Sequence, residues 1–110
     1  MAQTITQSNG DGVMRIATGR YLDTGTVAAY DFDDLGFTPK YVKVSNVTSR
    51  DQLEWFEGMA DASAVKTVAA GTRTLITTLG ITPLTNKGFT LGLDTDVNVT
   101  NKQVSWIAIG

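Results

Sequence analysis

Apolar and polar residues alternate with a period of two along most of this chain, in short stretches divided by turn-forming residues. Tyr41 to Val47 places Val42 and Val44 on one face and Lys43 and Ser45 on the other, which predicts a strand with one wet face. Gln52 to Phe56 groups Leu53 with Trp55, Gly88 to Leu93 groups Phe89, Leu91 and Leu93, and Gln103 to Ile109 groups Val104, Trp106 and Ala108. Thr26 to Phe32 sets Ala28, Tyr30 and Phe32 together, and Thr72 to Thr78 carries Leu75 and Ile76. At the start of the chain, Thr4 to Ser8 and Val13 to Thr18 flank Asn9-Gly10-Asp11-Gly12. Asn-Gly and Asp-Gly both tolerate positive φ, so this reads as a hairpin.

The segment Met59 to Ala70 is rich in alanine, the best helix former, but Val65 and Val68 alone make too thin an apolar stripe. A loop followed by a short strand is the expectation there. With 17 threonines and 11 glycines, the composition favours pleated strands and tight turns. The pattern predicts an all-β fold, an antiparallel β-sandwich or jelly-roll-like barrel of about eight strands. No linker, charge block or repeat divides the 110 residues, so residues 1–110 read as a single β domain, with 1–8 as an N-terminal arm or edge strand.

Charge and missing residue types narrow the function. A net charge of −2, with nine scattered basic residues, argues against a nucleic-acid partner. No apolar run is long enough for a membrane helix, and the opening ten residues lack a signal core, so neither membrane insertion nor export is expected. The chain contains no His and no Cys. Acid-base work would fall to carboxylates, Lys or Tyr, and thiolate or imidazole metal sites are excluded, so no enzyme activity and no cofactor are expected. The carboxylates Asp31, Asp33, Asp34, Asp51, Glu54 and Glu57 read as turn residues and solvated strand faces. Asp94-Thr95-Asp96-Val97-Asn98 copies the first three ligand positions of a calcium loop. It then departs from the pattern, with Val99 where Gly belongs and Ser105 where the bidentate Glu belongs. A polar hairpin loop is the expectation, with an ion at Asp94, Asp96 and Asn98 left open.

Aromatic residues fall on most of the expected strands: Tyr30, Phe32, Phe37, Tyr41, Trp55, Phe56, Phe89 and Trp106. Core filling accounts for most of them. Adjacent Trp55 and Phe56 point to opposite faces of one strand, so at least one of the pair is a candidate subunit contact. Ala2, Gln3, Thr4, Ile5, Thr6 and Gln7 are a second candidate interface, an arm that adds a strand to a neighbour through its backbone groups.

The run Asp34-Leu35-Gly36-Phe37-Thr38-Pro39-Lys40-Tyr41-Val42-Lys43-Val44, then Glu54-Trp55-Phe56-Glu57-Gly58-Met59, Gly88-Phe89-Thr90-Leu91 and Trp106-Ile107-Ala108-Ile109-Gly110, resembles small virion proteins of tailed bacteriophages. Similar Leu-Gly-Phe-x-Pro-x-Tyr-Val patterns resemble β-domains of phage tail and fibre proteins. The resemblance implies a virion component made in the host cytoplasm, first of all a capsid decoration, or cement, protein. Its partners would be copies of itself and the major capsid protein. The alternative it implies is a tail or fibre subunit that contacts other tail proteins or a host-surface glycan.

Overall fold

Inward-facing valines and leucines decide which side of each strand becomes core, and the strands follow from that choice. The structure, a computed structural model, describes residues 15–22, 25 and 28–110. Eight strands are formed: β1 (Ile16–Tyr21), β2 (Tyr30–Phe32), β3 (Tyr41–Asn46), β4 (Gln52–Phe56), β5 (Ser63–Thr67), β6 (Arg73–Leu84), β7 (Gly88–Leu91) and β8 (Val104–Ile109). Among the described residues there is no helix. All eight strands join one antiparallel sheet in the order β1-β8-β3-β4-β5-β6-β7-β2. The expected all-β class is present, as one curled sheet, a half-barrel.

Register turns alternation into a core. Val42 lies between Trp55 and Ala108, and Val44 between Leu53 and Trp106. Val42, Val44, Leu53, Trp55 and Ala108 are all buried, and Phe89, Leu91 and Ile81 extend the same inner face across β6 and β7. Each such side chain removed from water stabilises the fold by about 1.5–3 kcal/mol.

The sheet begins with β1 and ends with β2, and no ladder joins these two strands among the described residues. Side chains bridge them instead. Tyr21 of β1 lies 4.6 Å from Tyr30 and 5.7 Å from Phe32 of β2, measured between ring centroids. Phe32 stacks on Phe89 at 4.8 Å, and Trp106 of β8 meets Phe32 at 5.2 Å and Phe89 at 5.3 Å. These are the tilted and edge-to-face spacings that the ring quadrupole favours. Gly19 makes the closure possible, because a Cβ there would stand 2.6 Å from the Trp106 ring.

Connections cross both open ends of the curl. Residues 92–103 run from β7 over one end to β8 and bury Val97. Residues 33–40 run from β2 over the other end to β3 and bury Phe37 and Pro39. Gly88 brings the second crossing close: its φ is +153°, and a Cβ would collide with the carbonyl oxygen of Phe32.

Several boundaries differ from the sequence expectation. The first strand of the expected N-terminal hairpin lies outside the described residues, and β1 runs on through Gly19 to Tyr21, paired with β8. Within the expected Thr26–Phe32, the described residues 28–32 place Tyr30–Phe32 in β2 and leave Ala28 and Ala29 outside it, and β7 stops at Leu91, leaving Leu93 exposed. β6 continues past Thr78 to Leu84. Ser63 pairs with Ile81 while the next residue, Ala64, pairs with Ile76, so residues 77–80 loop out of the ladder and β6 serves two neighbours in turn.

The Gly19 contact carries a direct test. Gly19→Val should destabilise the chain by roughly 1–3 kcal/mol through overpacking against Trp106. Thr18→Val, on the opposite and exposed face, should stay within about 0.5 kcal/mol. Urea unfolding of both variants checks the difference.

Candidate functional site

Chemistry-bearing side chains collect in three places: the loop over one end, the outer face of the sheet, and the seam between β1 and β2. The loop is the most polar. Asn46, Asp51, Asp94 and Asn98 are all buried there, yet nearly every polar atom has a partner. The Asn46 amide donates to the Val97 carbonyl at 3.0 Å, and its oxygen accepts from the backbone N–H groups of Thr48 and Ser49. Asp51 accepts from the Ala69 N–H at 2.9 Å, tying the β3–β4 turn to the β5–β6 turn. Asn98 donates to the carbonyls of Ala28 and Gly92, while its own oxygen has no partner among the described residues. These bonds fix an irregular crossing whose backbone groups would otherwise be costly to bury.

Asp94 and Asp96 converge as the calcium-like spacing suggests, but the group between them is an ammonium. Lys66 Nζ of β5 donates to Asp94 Oδ2 at 3.0 Å and to Asp96 Oδ2 at 2.6 Å. Asp94 Oδ1 accepts from the Asp96 N–H, as in an Asx turn. Burial pulls the Lys66 ammonium down, and the hydrogen bonds to Asp96 and Asp94 outweigh it, so the net shift is upward. Among the described residues no group of three acidic, His or Cys side chains is placed to hold a metal. The position that an ion would take is filled by a lysine distant in sequence.

On the outer face, alternate residues of β1, β8, β3 and β4 align in register as Ile16, Ile109, Tyr41 and Phe56. Ile16 is 52% exposed and Phe56 46%. Tyr41 packs on Phe56 at 5.1 Å between ring centroids and donates its hydroxyl to Glu54 Oε2 at 2.9 Å. Burial first, then the hydrogen bond and charge of Glu54, push the Tyr41 phenol from 10.0 up to about 12. Arg73 stands 3.7 Å from the other Glu54 oxygen.

The paired candidates Trp55 and Phe56 are divided by this geometry. Trp55 is a core residue, 4% exposed, with its indole N–H donated to the Ala60 carbonyl. The reason is register: Trp55 faces Val42, whose side of β3 is wholly inward. Phe56 stays on the surface. Ala2, Gln3, Thr4, Ile5, Thr6 and Gln7 lie outside the described residues. Ile16, Ile109 and Tyr41 were not singled out from the sequence as contact residues, although the alternation of β8 would have put Ile109 on the face opposite Trp106.

At the seam, a cleft of about 160 Å³ is lined by Tyr30, Asp31, Phe32, Asp33, Asp34, Leu35 and Trp106. Its rings come from the closure of the sheet. Its carboxylates come from β2, which carries Asp31, and from the start of the crossing to β3, which carries Asp33 and Asp34.

Comparison with known proteins finds no matching family model, no similar curated protein and no similar solved structure.

Two measurements check this chemistry. The raised Tyr41 pKa means that its contribution to stability is complete below pH 10.0 and is lost as pH rises toward about 12. Tyr41 ring resonances should therefore remain those of the neutral phenol beyond pH 10.0, with Glu54→Gln moving ionisation part of the way back. At the loop, Lys66→Met strands the buried Asp94 carboxylate and should cost roughly 1–3 kcal/mol. Calcium added to the unaltered chain should leave its thermal midpoint where it was.

Proposed function

We propose that this chain is a structural subunit of a tailed-phage virion, a capsid decoration protein that holds neighbouring shell subunits together and packs against copies of itself. The observation that carries the assembly part is the row Ile16, Ile109, Tyr41 and Phe56 on the outer face. The sheet completes its own core by curling, so the interior makes no use of these side chains. Two of the four are about half exposed, and their contiguity supports burial against another subunit. The virion part is supported by the resemblance of the Leu35-Gly36-Phe37-Thr38-Pro39-Lys40-Tyr41-Val42 run and its companion segments. The segment Ala2 to Gln7 enters this reading as the arm expected from its sequence. Absence of His and Cys fits a subunit that works by contact area.

Analytical ultracentrifugation of the chain and of an Ile16→Ser, Phe56→Ser variant tests the face. Self-association should be present in the first and weakened at least tenfold in the second, as loss of two apolar anchors predicts. Unchanged association or particle binding in the variant would exclude this surface. Quantitative mass spectrometry of purified particles tests the location. A copy number on the order of hundreds is expected of a shell component built on symmetry; a few dozen copies would move the protein to the tail, and none would end the virion reading.

A further inference from the structure

The cleft at the seam holds negative charge that the described residues do not neutralise. Three of its lining residues, Asp31, Asp33 and Asp34, fall within four positions of the chain. Asp31 accepts a hydrogen bond from the Thr90 hydroxyl at 2.7 Å, a neutral donor. Asp33 and Asp34 are exposed, and among the described residues their side chains have no hydrogen-bonding or ion-pairing partner. The described ion pairs lie elsewhere, at Lys66 with Asp94 and Asp96 and at Arg73 with Glu54. The other lining is aromatic: Tyr30, Phe32 and Trp106. Aromatic side chains, carboxylates without an ion pair among the described residues and a concave shape thus coincide, and the closure of the sheet holds the rings where they are.

We propose that this cleft receives a cationic side chain, the guanidinium or ammonium group of an Arg or Lys on a partner subunit; that the partner is a subunit rests on the assembly reading above. A cation gains from both halves of the lining. Its charge is attracted to the ring faces and forms charge-assisted hydrogen bonds with the carboxylates. A neutral sugar would use the rings but would bring no counter-charge to the three carboxylates. The arginine head group has the better fit of the two, since its plane stacks on a ring while its edge reaches a carboxylate. Charge complementarity also sets the role of the contact. An exposed pair of this kind adds little affinity by itself and contributes mainly to orientation and partner choice.

The test uses the isolated chain, labelled with ¹⁵N and titrated with Nα-acetyl-arginine amide at low salt. The Trp106 indole signal and the amides of residues 30–35 should shift together and saturate with a dissociation constant on the order of 10 mM. The Trp55 indole, bonded to Ala60 in the core, should not move. Asp33→Asn and Asp34→Asn, both at exposed positions, should each weaken binding by roughly two- to fivefold, with the rest of the spectrum unchanged as the check on folding. Absence of a saturable shift overturns the proposal, as does equal binding in the doubly substituted chain. A saturable response to glucose, galactose or N-acetylglucosamine that exceeds the response to the arginine compound overturns it in favour of a sugar site. Because no assembly takes place in this titration, its failure leaves the outer-face reading standing, and loss of the outer-face reading leaves the titration unchanged.

Discussion

Ring packing between the first and last strands of the sheet is the contact on which the rest of this structure depends. Every other neighbouring pair of strands shares a hydrogen-bonded ladder, but β1 and β2 meet through Tyr21, Tyr30, Phe32, Phe89 and Trp106. A flat eight-stranded sheet would leave its apolar face in water. Curling brings the two ends together so that this face becomes an interior, and aromatic side chains span the remaining gap with large contact area and few lost rotamers. Gly19 is where the backbone yields to the largest of these rings.

Once the curl is closed, its two open ends become the next physical problem, and the chain solves them differently. One crossing seals its end with apolar Phe37 and Pro39. The other buries polar groups along with Val97, and therefore needs the bonds of Asn46, Asp51, Asn98 and the Lys66 ammonium to satisfy them. The outer face is relieved of any part in the core. That freedom links architecture to the proposed role, because Ile16, Ile109, Tyr41 and Phe56 have no inward task. The seam also produces the acidic cleft as a by-product of where β2 ends.

Period-two alternation made β3, β4 and β8 legible in the sequence, since each sets apolar residues at alternate positions on its inward face. The expected strand ended at Thr78, and Gly80 and Pro83 interrupt the strand pattern in the far half of β6. Pro83 is tolerated there because, past Ser63, β5 no longer flanks β6 and only β7 remains beside it. Trp55 and Phe56 showed that one side chain faces in and one out, but the choice between them required the register with Val42. The partner of Asp94 and Asp96 was beyond local reading, because Lys66 lies 28 residues before the first of them. The seam was invisible for the same reason: Tyr30 and Trp106 become neighbours through topology, which no local pattern encodes.

A double-mutant cycle on Phe32 and Trp106 measures the closure most directly. Phe32→Leu, Trp106→Leu and the pair together would be compared by urea unfolding, so that loss of burial in each single variant is subtracted from the interaction between the rings. Closure through ring packing predicts a coupling energy of about 0.5–1.5 kcal/mol. Strictly additive effects would contradict it, and would mean that β1 and β2 are held together by something other than the contact between these rings.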